Sequence, residues 1–272
     1  MCGSRLAELG AASKSWARVF LTRYPCDRVW ARYPQIQYWE VWNEPANPIY
    51  WNQPKDQAAA SYTALLKAVS QAIREANPQA QIISGGIVPT NADFLRGIHA
   101  NGGWNTFDIV GIHPYVDPYT PEFGQIGAGG DVSKIQMLVE QFGSKPIWAT
   151  EYGWSTGHAD RLAGGGSPVS PEQQANYLVR GAALLRAAGI ENIIWYKFKD
   201  ENEDGTNRYG LFAYASGRTD FSQPKPALGA FQSLNQQLAQ ATNPRPLTMG
   251  QASVVLDFEQ PAPGGPARIW GA

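Results

Sequence analysis

Apolar residues follow two alternating rhythms along this chain. Short runs rich in Ile, Val and Trp give way to longer segments in which apolar positions recur every three or four residues. The first run is IQYWEVW over 36–42. Tyr62, Leu65, Leu66, Val69 and Ile73 then fall on one helical face, and Asn77-Pro78 stops that helix. The second run, AQIIS over 80–84, leads through Gly85-Gly86 to a short helix around Phe94, Leu95 and Ile98. FDIVGI over 107–112 precedes a helix with Ile135, Leu138, Val139 and Phe142 on one face. PIWAT over 146–150 is the fourth run. After it, Ser170, Pro171 and Gln173 have the form of an N-cap, a first-turn proline and a capping-box partner, with Gly189 as the C-terminal stop. NIIWYKF over 192–198 is the last run; a long polar loop and a helix bearing Leu228, Phe231, Leu234 and Leu238 follow.

This repeated strand–helix alternation predicts an α/β fold with a parallel sheet covered by helices. Polar residues gather where each run ends: Asn43 and Glu44, Ser84, His113 and Tyr115, Glu151, then Lys197 and Lys199. A β/α barrel places functional groups at the C-terminal ends of its strands, whereas a doubly wound sheet uses one switch point. No G-x-G-x-x-G follows the first run, so a barrel or an arc of one is expected. Residues 11–33, with Trp16, Val19, Phe20 and Arg23 near helical spacing, supply a helix ahead of the first strand. From 243 onward the chain becomes rich in proline and glycine, with β-type runs at 252–258 and 267–270 that predict a short C-terminal β appendage or a strand pair packed on the barrel.

A hydrophobic share of 43% is enough for a sizeable core, and a formal net charge of −1 makes no electrostatic case for nucleic acid or an acidic membrane surface. No apolar run approaches the length of a membrane span. Ten tryptophans and twelve tyrosines fit either a well-filled core or a cleft where flat rings stack on sugars. Cys2 and Cys26 give neither a disulfide framework nor metal-ligand spacing. The opening MCGSRLAELGAASKSWARVF lacks the apolar core of a signal peptide, so the chain as given reads as cytoplasmic. DENEDG at 200–205 matches the opening of an EF-hand loop, but its twelfth position is Leu211 rather than Glu, so a polar loop is the better reading. Neither a metal nor a cofactor is expected.

Glu44 and Glu151 carry the candidate chemistry. Each ends a barrel-type strand among Trp, Tyr and Asn. A lone Glu at a strand end is usually a salt bridge or a helix cap, but two in such settings fit glycoside hydrolysis. That reaction needs one protonated carboxyl for the leaving oxygen and one ionised carboxylate for the anomeric carbon or water. If strand alternation runs on past 42, Glu44 shares a face with Trp42 and Glu40, and Trp39 packs under a helix.

WEVWNEP, followed about a hundred residues later by WATEYGWST, resembles the retaining glycoside hydrolases of clan A. The likeness is greatest to family 39, including its β-xylosidases and bacterial exopolysaccharide-hydrolase relatives. It spans roughly residues 15 to 260 and takes in GIHPY, IIWYKF and YGLF…KPALGAFQSL. The resemblance implies that Glu44 is the acid/base, that Asn43 touches the sugar 2-hydroxyl and that Glu151 is the nucleophile. It further implies that Tyr115, with His113 as the alternative, orients Glu151, and that Trp195 is the floor on which the reacting sugar stacks. Counting from Glu44, the chain supplies strands four to eight of an incomplete TIM (β/α)8-type barrel, a truncated catalytic domain over 1–242 with a β-type tail over 243–272. Three readings follow: a retaining hydrolase of β-linked sugars, a catalytically weak carbohydrate-binding remnant of one, and a metal-dependent barrel enzyme. Open sheet edges and an unfilled inner face would favour a homo-oligomer, most simply a dimer.

Overall fold

The computed structural model describes residues 36–126, 132–158, 167–201, 203–217 and 219–238, with the backbone of 245–248, 254–257 and 269–271. The helix expected over 11–33 and both cysteines lie outside the described residues. The chain divides into two compact units; one holds 36–112 and 133–146, the other 113–126, 132 and the described residues from 147 onward.

In the first unit, β1 (Tyr38–Val41) pairs in parallel with β2 (Gln81–Ser84), Tyr38 opposite Gln81 and Val41 opposite Ser84. Parallel bridges from Ile83 to Ile109 and from Ile87 to Ile112 bring in β3 (Val110–Ile112). The connecting helices are α1 (Lys55–Ala76), α2 (Asp93–Ala100) and α3 (Ser133–Phe142). The periodic face of α1 is buried, as are Ile82, Ile83, Val110 and Ile112 of the strands and Leu95, Ile98, Ile135, Leu138 and Val139 of the other helices. Asn77 caps α1 in an extended conformation, because Pro78 after it disfavours helical backbone. Arg74 in the last turn of α1 grips both carboxylate oxygens of Asp108, at 2.9 and 2.8 Å, and Asp108 also accepts from the Ile82 amide at 2.7 Å. One guanidinium nitrogen thus joins the helix end, through Asp108, to β2 and to the segment leading into β3.

In the second unit, β4 (Ile147–Tyr152) pairs in parallel with β5 (Asn192–Trp195). The ladder starts with Trp148 opposite Asn192 and shifts register before Tyr152 meets Trp195. Between them, α4 (Pro171–Ala187) opens with the expected capping box: Ser170 Oγ accepts from Gln173 N at 3.1 Å and Gln173 Oε1 accepts from Ser170 N at 2.8 Å. It closes at Ala188, with Gly189 just beyond at φ 79°, a conformation open to glycine. Gly181 on α4 admits two aromatics, since a β-carbon there would lie 2.6 Å from Tyr152 Oη and 2.9 Å from Trp154 Cη2. After α5 (Pro226–Leu238), β6 (Arg245–Thr248) and β7 (Val254–Asp257) form an antiparallel pair. No helix among the described residues is long and apolar enough to cross a membrane.

Two expectations are corrected. The tail adds a strand at Arg245–Thr248 that the pattern does not mark. The run expected at 267–270 forms β8 (Ile269–Gly271), which pairs in parallel with β5 rather than with the other tail strands, Ile193 opposite Ile269 and Trp195 opposite Gly271. That edge of the sheet is therefore occupied by the chain itself. The first run also stops short: β1 ends at Val41, and Trp42 and Glu44 take φ values of 75° and 41°, so strand alternation cannot decide which way they face. Trp39 is half-buried, with its indole N–H donating to Ile36 O at 3.2 Å.

The ends of β1 and β2 share one buried hydroxyl. Tyr62 Oη donates to Val41 O at 2.9 Å and accepts from Gly85 N at 2.7 Å. Burial pushes the Tyr62 phenol well above its ordinary pKa, so it stays neutral and can do both. Tyr62→Phe strands both backbone groups and is expected to lower unfolding stability by about 1–3 kcal/mol, measured by urea denaturation. A loss below about 0.5 kcal/mol would show that this bridge does not hold the strand ends.

Candidate active site

Glu44 is positioned by a strained loop rather than by its strand. Two non-glycine residues with positive φ within three positions each cost about 1–3 kcal/mol, and neighbours must over-determine them. Trp42 donates from its indole N–H to Tyr50 O at 3.1 Å, and its ring meets Trp51 edge-on at 5.2 Å; Trp51 in turn meets Tyr62 at 6.2 Å. Gly85 leaves the room required: a β-carbon there would lie 2.8 Å from Val41 O and 3.0 Å from both Trp42 O and Pro45 Cδ. Beyond the turn, Asn47 N donates to Glu44 O at 2.8 Å and Asn47 Nδ2 to Glu44 Oε2 at 3.1 Å. The Glu44 side chain is buried, at 5% exposure, and Asn43 before it is half-buried. Asn47 was not foreseen; its place three residues after Glu44 was the only signal.

Glu151 is the fifth residue of β4, within the stretch where the ladder to β5 shifts register, and its side chain is 22% exposed. Tyr115 Oη donates to Glu151 Oε2 at 3.0 Å. His113 Nδ1 lies 3.7 Å from the same oxygen, too far for a hydrogen bond. His113 is itself buried, and its ring meets Tyr115 edge-on at 6.3 Å. Of the two candidates for orienting Glu151, Tyr115 makes the hydrogen bond.

Trp195 does not stand where a sugar floor would be. It is 1% exposed, its ring lies against Trp154 at 6.2 Å with 29° between planes, and its indole N–H donates to Tyr209 O at 3.1 Å. A core ring with both its face and its N–H engaged offers no platform. Tyr196, the next residue, is half-buried and packs edge-on against Tyr115 at 6.3 Å and Tyr209 at 5.5 Å. The assignment of Trp195 rests on the resemblance alone; strand alternation puts it and Tyr196 on opposite faces without saying which face meets the sugar.

Several polar groups of the second unit escaped sequence reasoning. Tyr209 Oη donates to Asp117 Oδ2 at 2.8 Å, and Ser155 N to the same oxygen at 3.3 Å. Burial nevertheless pushes the Asp117 carboxyl up to about 6, against the pull of these donors. Asp200, fully buried, pairs with Lys225 at 3.0 Å and accepts from Gly210 N at 2.6 Å. Asp204 accepts from both the amide and the hydroxyl of Thr206, at 2.9 and 2.8 Å. Asp200 of DENEDG is thus engaged in the interior, while Asp204 is exposed and caps its own loop.

Residues 15–224 match the family model described as glycosyl hydrolase catalytic core. Among solved structures, a family 39 glycoside hydrolase from the gut symbiont Bacteroides cellulosilyticus WH2 is 27% identical, with a TM-score of 0.64, over 86% of this chain and 47% of that one. A monomeric β-xylosidase from Caulobacter crescentus CB15 is 20% identical, with a TM-score of 0.56, over 82% and 46%. A family 39 enzyme from Xanthomonas axonopodis pv. citri is 20% identical, with a TM-score of 0.53, over 94% and 53%. The chain spans about half the length of these relatives, in accord with part of a barrel. No curated protein matches it.

The raised Asp117 pKa makes stability depend on pH with a definite sign. The fold favours the protonated carboxyl, so this contribution is full below about pH 4 and is lost as pH rises through about 6. Asp117→Asn cannot ionise. Relative to wild type it is expected to gain about 1–3 kcal/mol between about pH 4 and pH 7.5, measured by urea denaturation across that range. A constant difference between the two proteins would show that Asp117 does not titrate in this window.

Proposed function

The chain belongs to the family of the glycosyl hydrolase catalytic core, and from that premise we propose that it is a retaining hydrolase of β-linked sugars. The observation that carries the reading is Glu151 at the end of β4 with Tyr115 donating to it at 3.0 Å. A carboxylate held by a phenol is oriented while keeping the charge a nucleophile needs.

In the proposed reaction, Glu151 attacks the anomeric carbon as Glu44 protonates the departing glycosidic oxygen. The carbon–oxygen bond breaks, the alcohol leaves, and the sugar is esterified to Glu151. Glu44, now ionised, takes a proton from water as that water attacks the anomeric carbon. The ester breaks, Glu151 is regenerated, and the sugar leaves with its configuration retained. Asn43 contacts the sugar 2-hydroxyl, His113 supports Glu151, and Tyr196 replaces Trp195 as the aromatic against which the sugar lies. The substrate is a carbohydrate. Because solved neighbours are described as β-xylosidases, an aryl β-xyloside belongs in the first panel to be tested.

A panel of aryl β-glycosides, followed by the dinitrophenyl fluoro-sugar matching whichever member turns over fastest, tests the mechanism. Mass spectrometry with peptide mapping should find one adduct, on Glu151; an adduct elsewhere, or no turnover of any member, overturns the reading and favours a non-catalytic remnant. Glu44→Ala should cost about 10²–10⁴-fold with poor leaving groups and far less with activated ones, with azide restoring turnover. Equal losses on both substrate types would remove Glu44 from the acid/base role. Self-association is part of the reading too, and it rests on β1, which among the described residues pairs only with β2. Light scattering coupled to size exclusion should give a dimer mass at micromolar concentration; a monomer mass would overturn it.

A further inference from the structure

The second unit contains a buried carboxylate that the proposed reaction does not use. Asp117 is 7% exposed, and among the described residues its Oδ1 has no hydrogen-bond partner. Its other oxygen takes a long contact from Ser155 N and a close one from Tyr209 Oη. Holding half a carboxylate unsatisfied in the interior is costly, and a neutral acceptor would avoid that cost. What a carboxylate adds is a strong, directional anchor for one ring.

That ring occupies a particular place. Tyr209 is 2% exposed, and Tyr115 and Tyr196 pack against it edge-on at 6.2 and 5.5 Å. Its carbonyl accepts from the Trp195 indole at 3.1 Å and from Lys197 N at 3.3 Å, so its backbone is tied to the chain on either side of Tyr196. The remaining freedom of the side chain is the tilt of the ring, and the hydroxyl bond to Asp117 removes it. Tyr115, resting on that ring, is the residue that donates to Glu151.

We infer that Asp117 is a positioning residue for the nucleophile, fixing the Tyr209 ring that backs Tyr115 and thereby setting how Glu151 is presented to the sugar. The inference rests on the proposed role of Glu151. Asp117 touches no reacting atom; it acts through two rings.

The test is the rate at which the dinitrophenyl fluoro-sugar chosen above labels Glu151 in the full chain, followed by intact mass. An activated leaving group makes this rate independent of acid catalysis, so it reports on the nucleophile. Tyr209→Phe keeps the ring and loses only the anchor; Asp117→Ala loses the anchor from the other side. Each is expected to slow labelling at saturation by about tenfold, the scale of a small misplacement, with half-saturation unchanged within about threefold and the final labelled fraction close to one. The double variant should be no slower than the slower single, because both remove one contact. Asp117→Asn, which keeps an acceptor, should lose less than Asp117→Ala. If Asp117→Ala does not fold, Tyr209→Phe and Asp117→Asn decide alone. Rates within about twofold of wild type, effects that multiply in the double variant, or a loss seen only in the labelled fraction each overturn the inference. A wild type labelled at another residue overturns the proposed function itself, and the inference with it.

Discussion

The hydrogen bond from Tyr115 to Glu151 is the constraint on which the second unit is arranged. A phenol donates without bringing a positive charge, so it can aim a carboxylate while leaving its negative charge uncompensated. A lysine or arginine there would neutralise it. The drawback of a phenol is that its aim depends on where a large ring lies, and that depends on what packs around it. Tyr115 therefore needs other rings against it, and Tyr196 and Tyr209 meet it edge-on. Gly153 belongs to the same requirement: a β-carbon there would sit 2.2 Å from Tyr196 O, so only glycine lets β4 run out beside that residue. The aromatic richness of this chain is in this part scaffolding for one donor.

The first unit orients its carboxyl by the opposite means. Glu151 is presented by a strand that continues through it, whereas Glu44 follows a turn in which Trp42 and Glu44 both take positive φ. Strain of that kind persists only where surroundings leave no alternative. Here the surroundings are a buried hydroxyl from α1, a glycine just past β2 that permits close approach, and a chain of rings from Trp42 through Trp51 to Tyr62. The long apolar face of α1 is what lets Tyr62 sit deep enough to bridge two strand ends. Core packing and site geometry are here one property.

This contrast explains what could be read in advance. Helix α4 was legible to its caps, because Ser170, Pro171, Gln173 and Gly189 each act through local backbone chemistry that distant contacts do not override. The helical face of α1 was legible from the period of its apolar residues. The end of β1 was not, since nothing local marks Trp42 as left-handed; a glycine there would have. Pairing of Ile269–Gly271 with β5 was hidden by more than seventy intervening residues, across which pattern carries no register. Asp117 stood in plain view, two residues beyond Tyr115. Yet its meaning depends on Tyr209, far along the chain, and no periodicity links them.

The ion pair between Lys225 and Asp200 shows the same logic reaching into the loops. Lys225 also donates to Thr156 Oγ1 and Arg208 O, both at 3.0 Å. Burial pulls its ammonium down from its ordinary pKa, with the Asp200 charge pulling the other way, so the pair is held in a place that charge alone would avoid. Buried pairs of this kind add little net stability compared with apolar residues of similar size. Their gain is geometric. A three-donor ammonium can tie three separated segments at one point, which no apolar side chain can do. Here those segments are the stretch after β4, the loop opening at Asp200, and the return before Tyr209, and between them they border Tyr196 and Tyr209. The loop is polar because its work is to hold rings in place from outside the core, and hydrogen bonds are the only interactions directional enough to do so at a sheet's end.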